Sequence, residues 1–172
     1  MRSPRRFPFA LLRASPHPRD DLWIIMQRFN IARSAHLGIW SGFMAKKILV
    51  VDDEAAIRDL LKDTFIIEGY DVRLAEGAET AFEILKEEDI EVIFLDLKLF
   101  GMNGIELCKQ IRKDSPIAII FAMTGWAALY DIEECREVGF DDFFIKPLQT
   151  EMLLRAVDGA FERLNRWRRR NV

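Results

Sequence analysis

The segment KKILVVDDEAA, residues 46–56, joins four consecutive apolar residues to three consecutive acids. Three of the four apolar residues, Ile48 to Val51, are β-branched, and a short run of this kind predicts a buried β-strand. Asp52, Asp53 and Glu54 follow without a spacer, at the point where the strand ends. Close carboxylates repel each other by roughly 4 kcal/mol per pair at an effective dielectric near 20. The segment therefore predicts that a cation occupies this end of the strand, or that the acids take part in chemistry.

The net charge of −3 conceals two regions of opposite sign. Residues 1–43 hold seven Arg, two Asp, four Pro and no Lys, a net charge of +5, whereas residues 44–172 hold 18 basic and 26 acidic residues, a net charge of −8. We interpret residues 1–43 as a basic extension that is either disordered or the result of a misassigned start, with Met44 as the true first residue. A transit peptide and a basic arm for nucleic acid or anionic lipid are the alternatives.

From Met44 onward, short apolar runs alternate with segments of helical periodicity. The runs that predict buried strands are Ile48–Val51, Val72–Ala75, Val92–Leu95, Ile117–Met123 and Phe143–Ile145. The stripes that predict helices are Ile57, Leu60, Leu61, Thr64 and Phe65; Ala78, Ala81, Phe82 and Leu85; Ile105, Cys108 and Ile111; Leu129, Ile132, Cys135 and Val138; and Leu153, Leu154, Val157, Phe161 and Leu164. This alternation predicts an α/β domain over residues 44–165, with a parallel sheet and helices on both of its faces. Residues 166–172 then form a basic C-terminal tail.

Polar residues stand at the carboxyl ends of four predicted strands, where sheets of this kind bind ligands. Asp52 and Asp53 follow the first strand, Asp96 the third, Thr124 the fourth and Lys146 the fifth. Taken singly, each has a plain structural explanation as a helix cap, a turn residue or a surface lysine. Together they form the set that phosphoryl transfer requires, since carboxylates can hold Mg²⁺ or act as the nucleophile while a hydroxyl and an ammonium neutralise charge.

The two cysteines, Cys108 and Cys135, have no metal-type spacing and fall at apolar positions of predicted helices. They are expected to be buried thiols in a reducing compartment. No apolar run is long enough to span a membrane, and we expect a cytoplasmic protein.

Four motifs in this order and spacing, ILVVDDE, VIFLDLKLFGMNG, AMTG and GFDDFFIKP, resemble the receiver domain of bacterial two-component response regulators. The resemblance covers Met44 to about Asn165 and implies a flavodoxin-like, doubly wound, five-stranded sheet of order 2-1-3-4-5. It also implies that Asp96 accepts a phosphoryl group from a histidine kinase or a histidine phosphotransfer protein. The protein would then be a stand-alone response regulator that signals by protein contact, and not an enzyme in the ordinary sense.

The same resemblance assigns the metal. Asp53, Asp96 and the backbone carbonyl of Lys98 would bind Mg²⁺ or Mn²⁺ directly, and Asp52 would act mainly through water.

It also assigns the phosphate contacts and the switch. Lys146 would pair with the phosphoryl oxygens and Thr124 would donate a hydrogen bond to one of them, while the ring of Phe143 would turn inward behind Thr124. Because Phe143 lacks the hydroxyl of a tyrosine, we expect its ring to favour the inward position. The Lys146–Pro147 peptide bond would be cis, which costs little before proline.

Three positions depart from the usual receiver pattern or tune it. Phe100 replaces a proline that many receivers have four residues after the acceptor, so the loop there is expected to be less rigid. Lys98 and Trp126 flank the approach of the hydrolytic water. We predict that Trp126 shields the acyl phosphate and lengthens its lifetime.

The expected output surface is the fourth helix, fifth strand and fifth helix, which would contact a downstream target, a relay partner or a second copy of the chain. Nucleic acid is not expected as a partner, because the domain that carries the basic tail is acidic. Two alternatives remain: a Mg²⁺-dependent phosphohydrolase of the haloacid-dehalogenase type, and a degenerate receiver used only for binding. The first calls for an Asp where Lys98 stands, and the second does not explain why every phosphorylation residue is present.

Overall fold

The computed structural model describes residues 46–125 and 132–170, so Trp126 and the extension of residues 1–43 lie outside the described part of the chain. The strands are β1 (Lys47–Val51), β2 (Asp71–Ala75), β3 (Val92–Asp96), β4 (Ile119–Thr124) and β5 (Asp142–Ile145). The helices of the described residues are α1 (Ala55–Ile67), α2 (Ala78–Glu87), α3 (Gly104–Asp114), α4 (Ile132–Val138) and α5 (Thr150–Arg170).

The five strands form one parallel sheet of order β2-β1-β3-β4-β5. This confirms the predicted fold class and strand order. In the register of the central strands, Ile48 of β1 lies between Val72 of β2 and Val92 of β3. All strands therefore end at the same edge of the sheet, which brings the residues that follow them together.

Alternate residues of the central strands supply two separate apolar cores, one on each face of the sheet. Ile48 and Val50 pack with α1 and α5, whereas Leu49 and Val51 pack with α2, α3 and α4. This arrangement follows from the period of two along a strand, because successive side chains point to opposite faces. Since both faces are covered, the strands read as continuous apolar runs instead of alternating ones.

The structure corrects two details of the sequence analysis. Strand β4 begins at Ile119 and not at Ile117, which is 64% exposed and belongs to the turn after Pro116. Leu60 was expected on the buried stripe of α1 but is 46% exposed. The buried positions of this helix are Leu61 and Phe65, spaced four apart, and Leu60 lies about 100° round the helix from Leu61.

Helix α5 runs to Arg170, so residues 166–170 of the predicted tail continue the helix. Cationic side chains near a helix carboxyl end interact favourably with its dipole. None of the described helices is both long and apolar enough to cross a bilayer. Cys108 and Cys135 are free and buried, and burial raises the pKa of the Cys108 thiol to about 11.

Candidate functional site

The residues that follow the strands meet at one edge of the sheet. Asp52 follows β1, Asp96 ends β3 and Thr124 ends β4, and all three residues are buried. Lys146 follows β5, and its backbone N–H donates to the carbonyl of Thr124 at 2.8 Å, which continues the β4–β5 pairing by one residue. The parallel topology thus brings together acids and a base that are separated by up to about 90 positions in sequence.

The ammonium group of Lys146 contacts three carboxylates. Its Nζ lies 2.9 Å from Asp52 Oδ2, 3.1 Å from Glu54 Oε1 and 3.2 Å from Asp96 Oδ1. The Lys146 side chain is 13% exposed and those of Asp52 and Asp96 are almost fully buried, so these two contacts form with little screening by water. The Glu54 side chain is 63% exposed, and its contact with Lys146 is screened. One cation therefore joins the predicted phosphoacceptor to the acidic segment after β1.

Backbone groups of the loop after β3 fix the position of Asp96. The Lys98 N–H donates to Asp96 Oδ2 at 3.2 Å, and the Leu97 N–H donates to the Met123 carbonyl at 2.9 Å. Helix α3 begins directly against this loop, because the Gly104 N–H donates to the Leu97 carbonyl at 3.1 Å. A Cβ on Gly104 would lie 2.3 Å from the carbonyl oxygen of Asp96, closer than any side chain allows. Glycine at position 104 is thus required for this close approach.

The acidic segment after β1 has the donor set of a site for a hard divalent cation. Carboxylate oxygens of Asp52, Asp53 and Glu54 all lie within 4.8 Å of one another. The Glu54 N–H donates to Asp52 Oδ1 at 2.9 Å, which folds the segment back on itself. Oxygen-only donors in a sparse set suit Mg²⁺, which keeps several of its waters when it binds to proteins.

The protonation equilibria reflect burial and crowding of these charges. Burial raises the pKa of Asp96 to about 6, with Lys146 acting in the opposite direction and Asp52 adding to the increase. Burial also raises the pKa of Asp52, opposed by its hydrogen bonds from Lys146 and from the Glu54 backbone. Burial would lower the pKa of Lys146, but Asp52 and Asp96 outweigh it and raise that pKa above its ordinary value. The Lys146 ammonium is therefore charged throughout the physiological pH range, while the Asp96 carboxyl group has a pKa near the lower limit of that range.

A cavity of about 210 Å³ opens to solvent between these groups. Its lining residues are Asp53, Glu54, Asp96, Lys98, Gly125 and Lys146. Asp53 is exposed and Asp96 lies at the base of the cavity, so a small charged group entering from solvent would meet carboxylate and ammonium together.

The structure describes three further positions that the sequence analysis selected: Phe143, the Lys146–Pro147 peptide bond and Phe100. Phe143 is half-buried and packs against the core formed with α2, α3 and α4. The Lys146–Pro147 peptide bond is cis. Phe100 is 90% exposed on the loop after Asp96. Trp126 and its predicted effect on phosphoryl lifetime lie outside the described residues.

Sequence reasoning missed three features of the site. It left Glu54 out of the residues that follow the strands and form the site, yet Glu54 contacts Lys146 across 92 positions in sequence. It did not select Arg58, whose guanidinium donates to two backbone carbonyls of the acidic segment. It also quoted Gly104 only as part of a motif. A signal existed for Gly104, because a glycine opening a helix beside a predicted acceptor indicates a close backbone approach. Nothing local indicated where the Glu54 and Arg58 side chains would lie.

Comparison with known proteins agrees with this geometry. The sequence model of the response regulator receiver domain matches residues 48–158. A CheY-like response regulator receiver domain protein from Methanospirillum hungatei JF-1 is 29% identical, with a TM-score of 0.62 over 69% of this chain and 98% of that one. The chemotaxis protein CheY4 of Vibrio cholerae is 27% identical, with a TM-score of 0.64 over 67% of this chain and 98% of that one.

A third similar structure is NtrX from Brucella abortus, which is 30% identical with a TM-score of 0.69. That alignment covers 74% of this chain but only 30% of NtrX. The doubly wound sheet, with carboxylates and an ammonium at its carboxyl edge, fits a phosphoryl-accepting signalling domain. The chain belongs to the response regulator receiver domain family.

Proposed function

We propose that this protein is a response regulator whose receiver domain accepts a phosphoryl group on Asp96 and signals by contact with other proteins. The observation that carries the proposal is the contact of Lys146 Nζ with Asp96 Oδ1 at 3.2 Å, beside the acidic cluster of Asp52, Asp53 and Glu54. Phosphoryl transfer requires mainly positioning and charge neutralisation, and this arrangement offers both.

In the proposed reaction, a carboxylate oxygen of Asp96 attacks the phosphorus of a phosphohistidine on the partner. The new O–P bond forms as the P–N bond breaks, and the imidazole leaves with the electron pair of that bond. Asp96 must be ionised to attack, and its pKa of about 6 leaves it mostly ionised at neutral pH. Lys146 is within reach of the oxygens that a phosphoryl group on Asp96 would carry, and Thr124 would donate a hydrogen bond to one of them.

We assign the metal to the carboxylates of Asp53 and Asp96 and the backbone carbonyl of Lys98, with Asp52 acting through water. Mg²⁺, or Mn²⁺ in its place, would supply charge neutralisation for the phosphoryl oxygens when bound. The position of Asp53 and Lys98 at the wall of the cavity supports this assignment. Asp52 is fully buried and engaged by Lys146, which suits an indirect role.

We further propose that the phosphorylated form is read at the surface of α4, β5 and α5. Phe143 lies on β5 of this surface and packs into the core behind it, so rotation of its ring would connect the site to the surface. Ile145 and Met152 are each 52% exposed there and offer apolar contact area. The candidate binding partners of this surface are a downstream target, a relay partner and a second copy of this chain. The proposed setting is the cytoplasm, where histidine kinases present their phosphohistidine.

The test is incubation of the purified protein with Mg²⁺ and a phosphorylated histidine kinase, or with beryllofluoride, followed by intact-protein mass spectrometry and ¹⁹F NMR. We expect stoichiometric labelling that requires Mg²⁺ and disappears in Asp96→Asn. Labelling that survives in Asp96→Asn, or an absence of labelling in the wild type, would refute the acceptor assignment. Steady turnover of small phosphate esters would instead favour the phosphohydrolase alternative.

A further inference from the structure

Arg58 makes two hydrogen bonds to the backbone of the acidic segment. Its NH1 donates to the carbonyl oxygen of Asp52 at 2.7 Å and to that of Asp53 at 3.0 Å. Arg58 is half-buried in the first turn of α1, so its guanidinium lies against the segment that connects β1 to that helix.

These two carbonyls lie between two regular hydrogen-bond networks. The Asp52 N–H still belongs to the sheet, since it donates to the carbonyl of Ala75 at 3.1 Å. The Glu54 carbonyl already belongs to α1, since it accepts from the backbone N–H groups of Ile57 and Arg58. Asp52 is fully buried, and a buried backbone acceptor that regular structure does not satisfy needs another donor, which Arg58 supplies. The Asp53 carbonyl lies in an exposed residue and accepts a second hydrogen bond from the same Arg58 nitrogen.

Binding two successive carbonyls to one planar group fixes the backbone of both acids. The direction of each side chain follows from that backbone. Asp52 consequently projects into the interior towards Lys146, while Asp53 projects to the wall of the cavity. A guanidinium suits this role better than an ammonium, because its N–H groups are held in a rigid plane.

Arg58 also adds a positive charge beside the acidic cluster without occupying the carboxylate oxygens. Lys146 differs in this respect, because it binds directly to the carboxylates of Asp52, Glu54 and Asp96. A cation attached to the carbonyls leaves the carboxylate oxygens available to a divalent ion. Because its own charge repels that ion, the support that Arg58 gives to cation binding must come from the backbone that it fixes.

We propose that Arg58 is a positioning residue of the phosphorylation site, which sets its affinity for divalent cations by fixing the backbone of Asp52 and Asp53. This inference rests on the proposed function. Partners that orient metal ligands from behind typically change metal affinity by 10- to 100-fold when removed. The competing explanation is that Arg58 only stabilises the start of α1, in which case its removal would lower stability and leave cation affinity unchanged.

The experiment compares Arg58→Gln and Arg58→Lys with Lys62→Gln. Lys62 is exposed one turn further along α1, so its substitution matches the loss of charge without touching the acidic segment. Mg²⁺ affinity is measured by isothermal titration calorimetry, and the initial rate of phosphorylation by acetyl phosphate is measured against Mg²⁺ concentration. Thermal unfolding in EDTA reports the stability of each variant.

We expect Arg58→Gln to weaken Mg²⁺ binding by roughly 10- to 100-fold and to raise the Mg²⁺ concentration for half-maximal rate by the same factor. The rate at saturating Mg²⁺ should change far less, because Asp96, Thr124 and Lys146 are untouched. Arg58→Lys should fall between the wild type and Arg58→Gln, and Lys62→Gln should stay within about twofold of the wild type.

Unchanged Mg²⁺ affinity in Arg58→Gln, or an equal loss in Lys62→Gln, would overturn the proposal. If Arg58→Gln fails to fold, Arg58→Lys decides the question, and wild-type affinity in that variant would overturn the proposal equally. Failure of the wild type to bind Mg²⁺ or to take up phosphate would refute the proposed function itself, which is a different outcome from normal wild-type behaviour with unaffected Arg58 variants.

Discussion

Asp96 combines burial with negative charge, and this combination costs stability. The carboxyl group is 3% exposed and close to Asp52, so its folded-state pKa of about 6 lies above the ordinary value of 3.8. A raised carboxyl pKa means that the folded state binds the proton more tightly than the unfolded state. The contribution of Asp96 to the free energy of unfolding is therefore fully present below about pH 4. That contribution is lost as the pH rises through about 6.

Asp96→Asn should consequently stabilise the metal-free protein. The variant cannot ionise, so at pH 7.5 it should gain up to about 3 kcal/mol in free energy of unfolding, and the gain should vanish near pH 4. Urea unfolding in EDTA at both pH values measures this, with Asp63→Asn on the exposed face of α1 as the control. A gain that is equal at both pH values would contradict the electrostatic explanation.

The absence of a side chain at Gly104 allows helix α3 to begin close to the backbone of Asp96. A Cβ at this position would meet the backbone of Asp96 and Leu97, which cannot move without displacing the Asp96 side chain. Gly104→Ala should therefore lower the free energy of unfolding by roughly 1–3 kcal/mol and reduce phosphorylation more than its stability alone explains. Chemical unfolding and the beryllofluoride titration check the two effects, and normal labelling in a folded variant would contradict this account.

At the scale of elements, α5 contains a glycine that packing does not require. Gly159 is exposed in the middle of this helix, and a Cβ there would meet nothing within 4 Å. Glycine in a helix interior costs roughly 1 kcal/mol relative to alanine. Gly159→Ala should raise the free energy of unfolding by about that amount, which is the opposite sign to Gly104→Ala. A loss of stability measured by urea unfolding would show that the helix needs the flexibility of glycine.

The elements could be predicted from sequence because their patterns are strong and mutually consistent. The apolar runs gave the five strands, and the polar residues after them indicated the edge of the sheet where the site lies. Asp52, Asp96, Thr124 and Lys146 could be grouped in this way, since parallel strands end together. The misplaced start of β4 arose because Ile117 is apolar but follows a proline turn that exposes it.

Long side chains could not be placed by the same reasoning. The contact of Glu54 with Lys146 and the bonds of Arg58 to two carbonyls depend on rotamers and on the path of the β1–α1 segment. A sequence pattern gives the face on which a residue lies, but not the group that a flexible charged side chain reaches. The predicted set therefore contained the polar residues that meet at the carboxyl edge of the sheet, and it omitted Arg58 and Glu54, which contact them.

At the scale of the whole molecule, the two ends of the sheet have different roles. Opposite the site, Arg112 of α3 donates to the carbonyls of Ala118 and Gly139 and to Asp141 Oδ2, the last at 2.7 Å. Asp141 Oδ2 also accepts from the Ile120 N–H at 2.9 Å. This network joins α3 to the beginnings of β4 and β5, whereas the carboxyl ends of the same strands carry the crowded charges.

Removal of this network should affect stability without affecting chemistry. Arg112→Ala leaves several partly buried acceptors without their donor and should lower the free energy of unfolding by roughly 2–3 kcal/mol. Lys109→Ala, on the exposed face of the same helix, should be close to neutral. Labelling of Asp96 in the folded fraction should match the wild type in both variants. A specific loss of labelling in Arg112→Ala would show that the two ends of the sheet are coupled.

The alternation of side chains along β1 links the two cores of the fold to the position of the site. Ile48 and Val50 serve one core, Leu49 and Val51 serve the other, and Asp52 is the next residue in that sequence. Deleting one residue within this strand would exchange the two cores that the residues beyond the deletion serve, and would turn the Asp52 carboxylate away from Lys146. A shift in the register of β1 would thus disrupt both cores and misplace Asp52 at the same time. Correct packing of β1 in both cores therefore also positions the acids that follow it.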